Sequence, residues 1–156
     1  MKVIFLDIDG VLNSGAYDRR RNWNELTDID ESRLPLVKQI VDQTGAVIVL
    51  SSTWREHWEK DIHKCDVEGA YITYTFAKYG LEIYDKTPFW DISANRIDEV
   101  KRWLESAKDV EKFVIIDDYG FGWADLSPRF IKTNPRFGLG LEENHVKKAI
   151  ELLTEE

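Results

Sequence analysis

Asp7 and Asp9, separated by Ile8 and followed by Gly10, close the apolar stretch Lys2-Val-Ile-Phe-Leu6. A continuous β-rich run punctuated by glycine predicts a buried strand, and a parallel strand opens its carboxyl end into a ligand crevice. If the extended conformation carries on through Asp9, its period of two puts both acids on one side. Two carboxylates so close repel unless a cation or a shared proton intervenes. The pair therefore points to a hard metal or to split acid and base roles, with a plain Asp-Gly turn as the alternative.

A second acidic pair strengthens the first. Phe113-Val-Ile-Ile116 is another apolar run and ends in Asp117-Asp118-Tyr119-Gly120. Ala46-Val-Ile-Val-Leu50 ends in Ser51-Ser52-Thr53, a hydroxyl cluster at an expected strand-to-helix junction. Three strands then deliver acids, hydroxyls and acids to one edge of a parallel sheet.

This arrangement resembles the haloacid dehalogenase (HAD) superfamily of phosphoryl-transfer enzymes. The shared pattern is an Asp-x-Asp-Gly strand end, a strand ending in Ser or Thr, a basic residue opening a helix, and a late acidic pair. The resemblance spans nearly the whole chain. It implies that Asp7 is the nucleophile, Asp9 the general acid and base, Ser51 the phosphate-binding hydroxyl, and Asp117 with Asp118 the metal-side acids. Arg96, opening the segment Arg96-Ile-Asp-Glu-Val-Lys-Arg-Trp-Leu104, matches the basic motif, with Lys101 on the same helix as the alternative. Val11 stands where most members carry Thr. Asp-Gly-Val-Leu is similar to the deoxyribonucleotidase branch and to the small phosphatase domains of nucleic-acid repair proteins. Ser51-Ser-Thr-Trp-Arg55 and Phe130-Ile-Lys-Thr-Asn134 resemble the latter most, a polynucleotide 3′-phosphatase type.

The implied chemistry is Mg²⁺-dependent hydrolysis of a phosphomonoester through an aspartyl phosphate. A carboxylate attacks an anionic phosphoryl group poorly, so Mg²⁺ at Asp7, the Asp9 backbone carbonyl and Asp117, with Asp118 nearby, would offset the repulsion. Mg²⁺ keeps several waters, so few protein ligands suffice. Asp9 would serve leaving oxygen and water in turn. Ser51 and Arg96 would hold the phosphoryl oxygens, and Asn13, Ser52 and Arg55 are further phosphate-binding candidates. For Arg55 an ordinary helix-surface charge is the competing expectation.

The elements needed to position these groups alternate along the chain. A helix capped by Asp30 or Ser32 presents Leu34, Val37, Ile40 and Val41 and ends at Gly45; strand 46–50 follows. Trp54, Trp58 and Ile62 recur at helical spacing, and residues 69–80 suggest another short helix. Glu82-Ile-Tyr84 is a short strand stopped by Pro88. A helix capped by Ser93 turns Ile97, Val100 and Leu104 inward, strand 113–117 follows, and Phe130–Thr133 is a fifth strand. Val146, Ala149, Ile150 and Leu153 mark a closing helix. The βαβα order predicts an α/β fold, a doubly wound parallel sheet of the HAD-like Rossmannoid kind. About twenty residues, Asn13 to Glu31, separate the first strand from its helix, which allows a flap and only a minimal cap. The crevice is then open, unless residues 66–92 or another subunit cover it.

Composition sets outer bounds. The 156 residues, 43% hydrophobic, suit a single domain over 1–156 with one core, and the four prolines and nine glycines mark no linker. The single Cys65 suits a reducing compartment. No membrane-length apolar run occurs, and charges follow the first run too closely for a signal peptide, so a cytoplasmic protein is expected. His57, His63 and His145 are scattered, which predicts solvent-facing helix positions rather than zinc, and Trp54, Trp58 and Trp103 predict core packing.

A net charge of −8 argues against a broad nucleic-acid-binding face. It leaves room for a local one. Arg19, Arg20 and Arg21 with Tyr17 and Trp23 combine guanidiniums and aromatics just after the first acidic motif, the composition used for phosphate backbones and stacked bases, or else a solvated loop. The expected substrate is a nucleotide or nucleic-acid end phosphate. A small sugar or metabolite phosphate, or a catalytically silent binding domain of the same fold, is the alternative. A receiver domain would place its phosphoacceptor on a later strand.

Overall fold

A computed structural model describes residues 1–14, 28–89, 95–120, 122–136 and 138–156. Five parallel strands form one sheet: β1 (Lys2–Leu6), β2 (Val47–Leu50), β3 (Ile83–Lys86), β4 (Lys112–Asp117) and β5 (Phe130–Lys132), in the order β3-β2-β1-β4-β5. The chain steps outward from β1 to β3, then returns past β1 to lay down β4 and β5. That reversal of direction beside β1 opens a crevice at the carboxyl ends of the strands.

Both sheet faces are covered, so the strands read as unbroken apolar runs rather than alternating ones. Ile4, Leu6, Ile48, Leu50, Val114 and Ile116 face α1 (Leu34–Thr44), α2 (Val67–Ala77) and α4 (Glu143–Thr154). On the other face Val3, Phe5, Val49 and Ile115 pack against Val100 and Trp103 of α3 (Arg96–Ser106) and against Trp123 and Leu126. The rings of Phe5 and Trp103 meet edge-on at 5.3 Å. This is the doubly wound α/β architecture expected from the element order.

Several local expectations need correction. Trp54, Trp58 and Ile62 do not share an α-helix: Thr53–Glu56 and Ile62–Lys64 are separate 3₁₀ turns. The Lys86 ammonium holds the end of the first turn, donating to the carbonyls of Arg55 (3.1 Å), which also accepts from the Trp58 amide, and of Trp58 (2.7 Å). Both Trp54 and Trp58 are nonetheless buried, as is Trp103. The cap of α3 is Asn95, whose side chain accepts from the Asp98 amide, and not Ser93. Of residues 66–92, the stretch 67–86 forms α2 and β3 and sends Ile72, Phe76, Leu81 and Ile83 into the core, and residues 90–92 lie outside the described residues.

His57 and His145 are also not plain solvent-facing helix residues. His57 closes the 53–56 turn with its Nδ1 2.6 Å from Asp66, and His145 Nδ1 accepts from the Glu142 amide in a capping box at the start of α4. No helix among the described residues is long and apolar enough to cross a membrane. The proposed flap lies mostly in residues 15–27, outside the described residues.

Candidate active site

The parallel ladder runs one step past each strand and fixes the first residue of each motif. The Asp7 amide donates to Ile116 O (3.0 Å), Ser51 to Leu6 O (3.1 Å) and Thr133 to Asp117 O (3.0 Å). Asp7, Ser51, Asp117 and Thr133 therefore sit side by side at one sheet edge, and all four are buried.

Asp7, Asp117 and Asp118 each offer a carboxylate oxygen within 4.8 Å of the others. Arg96, the first residue of α3, reaches between two of them: its Nη1 lies 2.5 Å from Asp117 Oδ2 and 3.2 Å from Asp7 Oδ2. Burial, then the charge of Asp117, push the Asp7 carboxyl up to about 8 against the pull of Arg96. Burial and Asp117 also raise Asp118. Burial pulls Arg96 down, but Asp7 and Asp117 more than compensate, so its net shift is upward. Three carboxylates facing one guanidinium leave an excess of negative charge that a divalent cation would neutralise, and the all-oxygen donor set suits Mg²⁺.

Asp9 stands apart from this cluster. It is exposed, and its two oxygens are held by Asn13 Nδ2 (3.1 Å) and by the Trp54 indole N–H (3.0 Å). Asn13 also accepts from the Gly10 amide (2.9 Å), so the motif closes on itself as a small loop. Gly10 has a φ of +78°, and a Cβ there would lie 2.4 Å from an Asp118 carboxylate oxygen. Only glycine lets the two acidic motifs approach this closely.

Ser51 Oγ and Arg55 Nε are buried with no hydrogen-bond partner among the described residues. An unsatisfied buried hydroxyl at the rim of an acid cluster suits a ligand oxygen. Arg55 is no surface charge: it is 4% exposed, donates to Ser52 O (2.9 Å) and pairs with Glu99 Oε1 at 2.6 Å. Its own burial lowers its pKa, and burial raises that of Glu99. Ser52 Oγ caps the 53–56 turn. Lys101 pairs instead with Asp125 (2.7 Å), leaving Arg96 as the basic side chain on α3 that bridges the acids. Arg19, Arg20, Arg21 and Trp23 lie outside the described residues.

The family profile described as "HAD domain in Swiss Army Knife RNA repair proteins" matches residues 3–146. The chain belongs to this HAD family. No curated protein and no solved structure matches it. Membership in a HAD family of RNA repair proteins supports a phosphatase of HAD type in general and agrees with the resemblance drawn from Asp7-Ile-Asp9-Gly10 and Asp117-Asp118.

Sequence reasoning missed three features around this HAD site. Trp54 supplies a hydrogen bond to Asp9, the Arg55–Glu99 pair ties the hydroxyl loop to α3, and Thr133 Oγ1 donates to Gly10 O (2.8 Å). The Thr133 contact spans 123 positions and left no local signal.

Proposed function

We propose that this protein is a Mg²⁺-dependent phosphomonoesterase, one unit over residues 1–156, acting on the terminal phosphate of a nucleotide or nucleic acid. The observation that carries the proposal is the cluster of buried Asp7 and Asp117, bridged by Arg96, with half-buried Asp118 beside them at the carboxyl edge of β1 and β4. Asp7, the Asp9 backbone carbonyl and Asp117, with Asp118 beside them, would hold the cation. Bound there, it supplies the charge compensation that keeps Asp7 ionised beside an anionic substrate.

An Asp7 oxygen attacks phosphorus, the bond to the leaving oxygen breaks, and that oxygen takes a proton from Asp9. Water then attacks the aspartyl phosphate, its proton passes to Asp9, and inorganic phosphate and the Asp7 carboxylate are released. Asn13 and Trp54 orient Asp9 for both transfers. Ser51 Oγ and Arg96 bind phosphoryl oxygens as charge moves onto them. Cys65 is a free thiol, which suits a reducing, cytoplasmic setting.

The test is turnover of p-nitrophenyl phosphate with and without Mg²⁺, and after chelation. Activity is expected to need the ion, to vanish in Asp7→Asn, to slow in Asp9→Asn, and to be lost or to demand far more Mg²⁺ in Asp117→Ala. Undiminished turnover after exhaustive chelation, or in folded Asp7→Asn protein, overturns the mechanism. For the substrate, a 3′-phosphorylated oligonucleotide is compared with mononucleotides and sugar phosphates at two salt concentrations, in wild type and with Arg19, Arg20 and Arg21 replaced by Ala. Preference for a sugar phosphate, with unchanged kinetics in the variant, rejects the nucleic-acid assignment and leaves the phosphatase intact.

A further inference from the structure

A groove of about 600 Å³ starts at Asp118 and continues past Lys132, Thr133, Asn134, Pro135 and Arg136 to His145. Its volume falls within the ~300–1,000 Å³ usual for ligand sites. It is open to solvent, so it cannot enclose a small molecule as a closed pocket does.

Two cations line it. Lys132 and Arg136 are exposed and have no ion-pair partner among the described residues, whereas Arg33, Arg55, Arg96 and Arg129 are each bound to an acid or a carbonyl. The backbone beneath them is well fixed. Lys132 belongs to β5, paired with Asp117 of β4, and the Arg136 amide donates to Asn134 Oδ1 (3.0 Å). Gly140 donates to Asn134 O (2.7 Å), and Leu141 to Val11 O (2.8 Å), which anchors the far side to the first acidic loop. His145 contributes a neutral wall, since its Nδ1 is an acceptor in the cap of α4 and burial lowers its pKa.

At its inner end Asp118 is followed in the chain by an exposed aromatic residue. Tyr119 follows Asp118, is 63% exposed, and donates its amide to Asp117 Oδ1 (3.0 Å), so its backbone is fixed to the acid cluster. A cationic path beside an exposed aromatic is how single strands are held, with phosphates on the cations and bases on the rings.

We propose that this groove holds the penultimate part of a single-stranded polynucleotide, its phosphodiesters at Lys132 and Arg136 and a base against Tyr119. The assignment rests on the phosphatase proposal for the location of the strand's terminal phosphate. The groove adjoins the acid cluster at Asp118, and binding along it can be measured without turnover.

Binding of a roughly ten-nucleotide single-stranded RNA ending in a 3′-hydroxyl is followed by fluorescence anisotropy over a range of salt. Wild type is compared with the Lys132→Ala/Arg136→Ala protein, with Lys132→Glu and with Tyr119→Ala. The double variant is expected to bind roughly tenfold or more weakly, and its salt slope to fall by about 1.4, at ~0.7 per lost phosphate contact. Lys132→Glu should weaken binding further than loss of that lysine alone, and Tyr119→Ala should weaken it several-fold with the salt slope unchanged. Turnover of p-nitrophenyl phosphate should not change in the double variant. Equal affinity and equal slope in wild type and double variant overturn the groove, as does a parallel loss of p-nitrophenyl phosphate turnover. If wild type is inert toward p-nitrophenyl phosphate, the phosphatase proposal fails while the anisotropy still decides the groove.

Discussion

Asp7→Asn isolates the electrostatic cost of building the acid cluster. Folding moves the Asp7 carboxyl from 3.8 to about 8, chiefly through burial and then through Asp117. Between those values the folded protein holds a proton that the unfolded chain has released. Stability therefore falls as pH rises, by ~1.4 kcal/mol per pH unit for this one group. Asn carries no such proton in either state. The advantage of the variant over wild type in EDTA should thus be near zero below about pH 4, reach ~4 kcal/mol at pH 7 and level off at ~6 kcal/mol above about pH 8. Loss of the Arg96 contact adds a constant offset, so the slope of the difference carries the information rather than its sign at one pH. The assay is urea unfolding of both proteins from about pH 5 to about pH 9, with linear extrapolation. At ~2–4 °C per kcal/mol, the change in melting temperature should be roughly 10 °C at neutral pH. Mg²⁺ should flatten the slope of wild type and stabilise it more than the variant. A stability difference independent of pH across that range would refute the burial argument while leaving the enzyme class open.

Two further perturbations follow from the same geometry. Gly10→Ala forces a side chain into the Asp118 carboxylate at a φ of +78°, so it should cost roughly 1–3 kcal/mol and raise the Mg²⁺ needed for half-maximal turnover; a normal Mg²⁺ titration would contradict the close approach. Arg55→Met leaves Glu99 buried and unpaired, so denaturant unfolding should show a loss of roughly 3–5 kcal/mol that Glu99→Leu largely restores in the double variant; equal losses in single and double variants would remove the pair from the account.

The strands and the first residue of each motif were legible because a doubly covered parallel sheet needs uninterrupted apolar runs, and the chemistry begins where they end. Asp7, Ser51 and Asp117 were found that way, at the ends of β1, β2 and β4. Helices α1 and α4 were legible from their apolar faces. Arg55 was not, since its partner Glu99 lies 44 residues away and nothing local distinguishes a buried guanidinium from a surface one. The helix inferred from Trp54, Trp58 and Ile62 was not found, because spacing alone cannot distinguish one α-helix from the two short 3₁₀ turns at Thr53–Glu56 and Ile62–Lys64. The choice between Arg96 and Lys101 turned on direction around one helix, which the sequence left open and the contacts with Asp117 and Asp125 separate.

The Asp7 amide, bonded to Ile116 O across the seam of β1 and β4, lies at the middle of the sheet, whereas β5 is a three-residue strand at its margin. Amides at such a seam exchange with deuterium through the rarest openings, and those at a short margin exchange through frequent local ones. The Asp7 amide is thus a clock for the whole protein, and the acid cluster persists as long as the fold does. The backbone bearing Lys132 runs on a faster clock, so its surface can be remodelled by sequence change without loosening the strands that hold the acids.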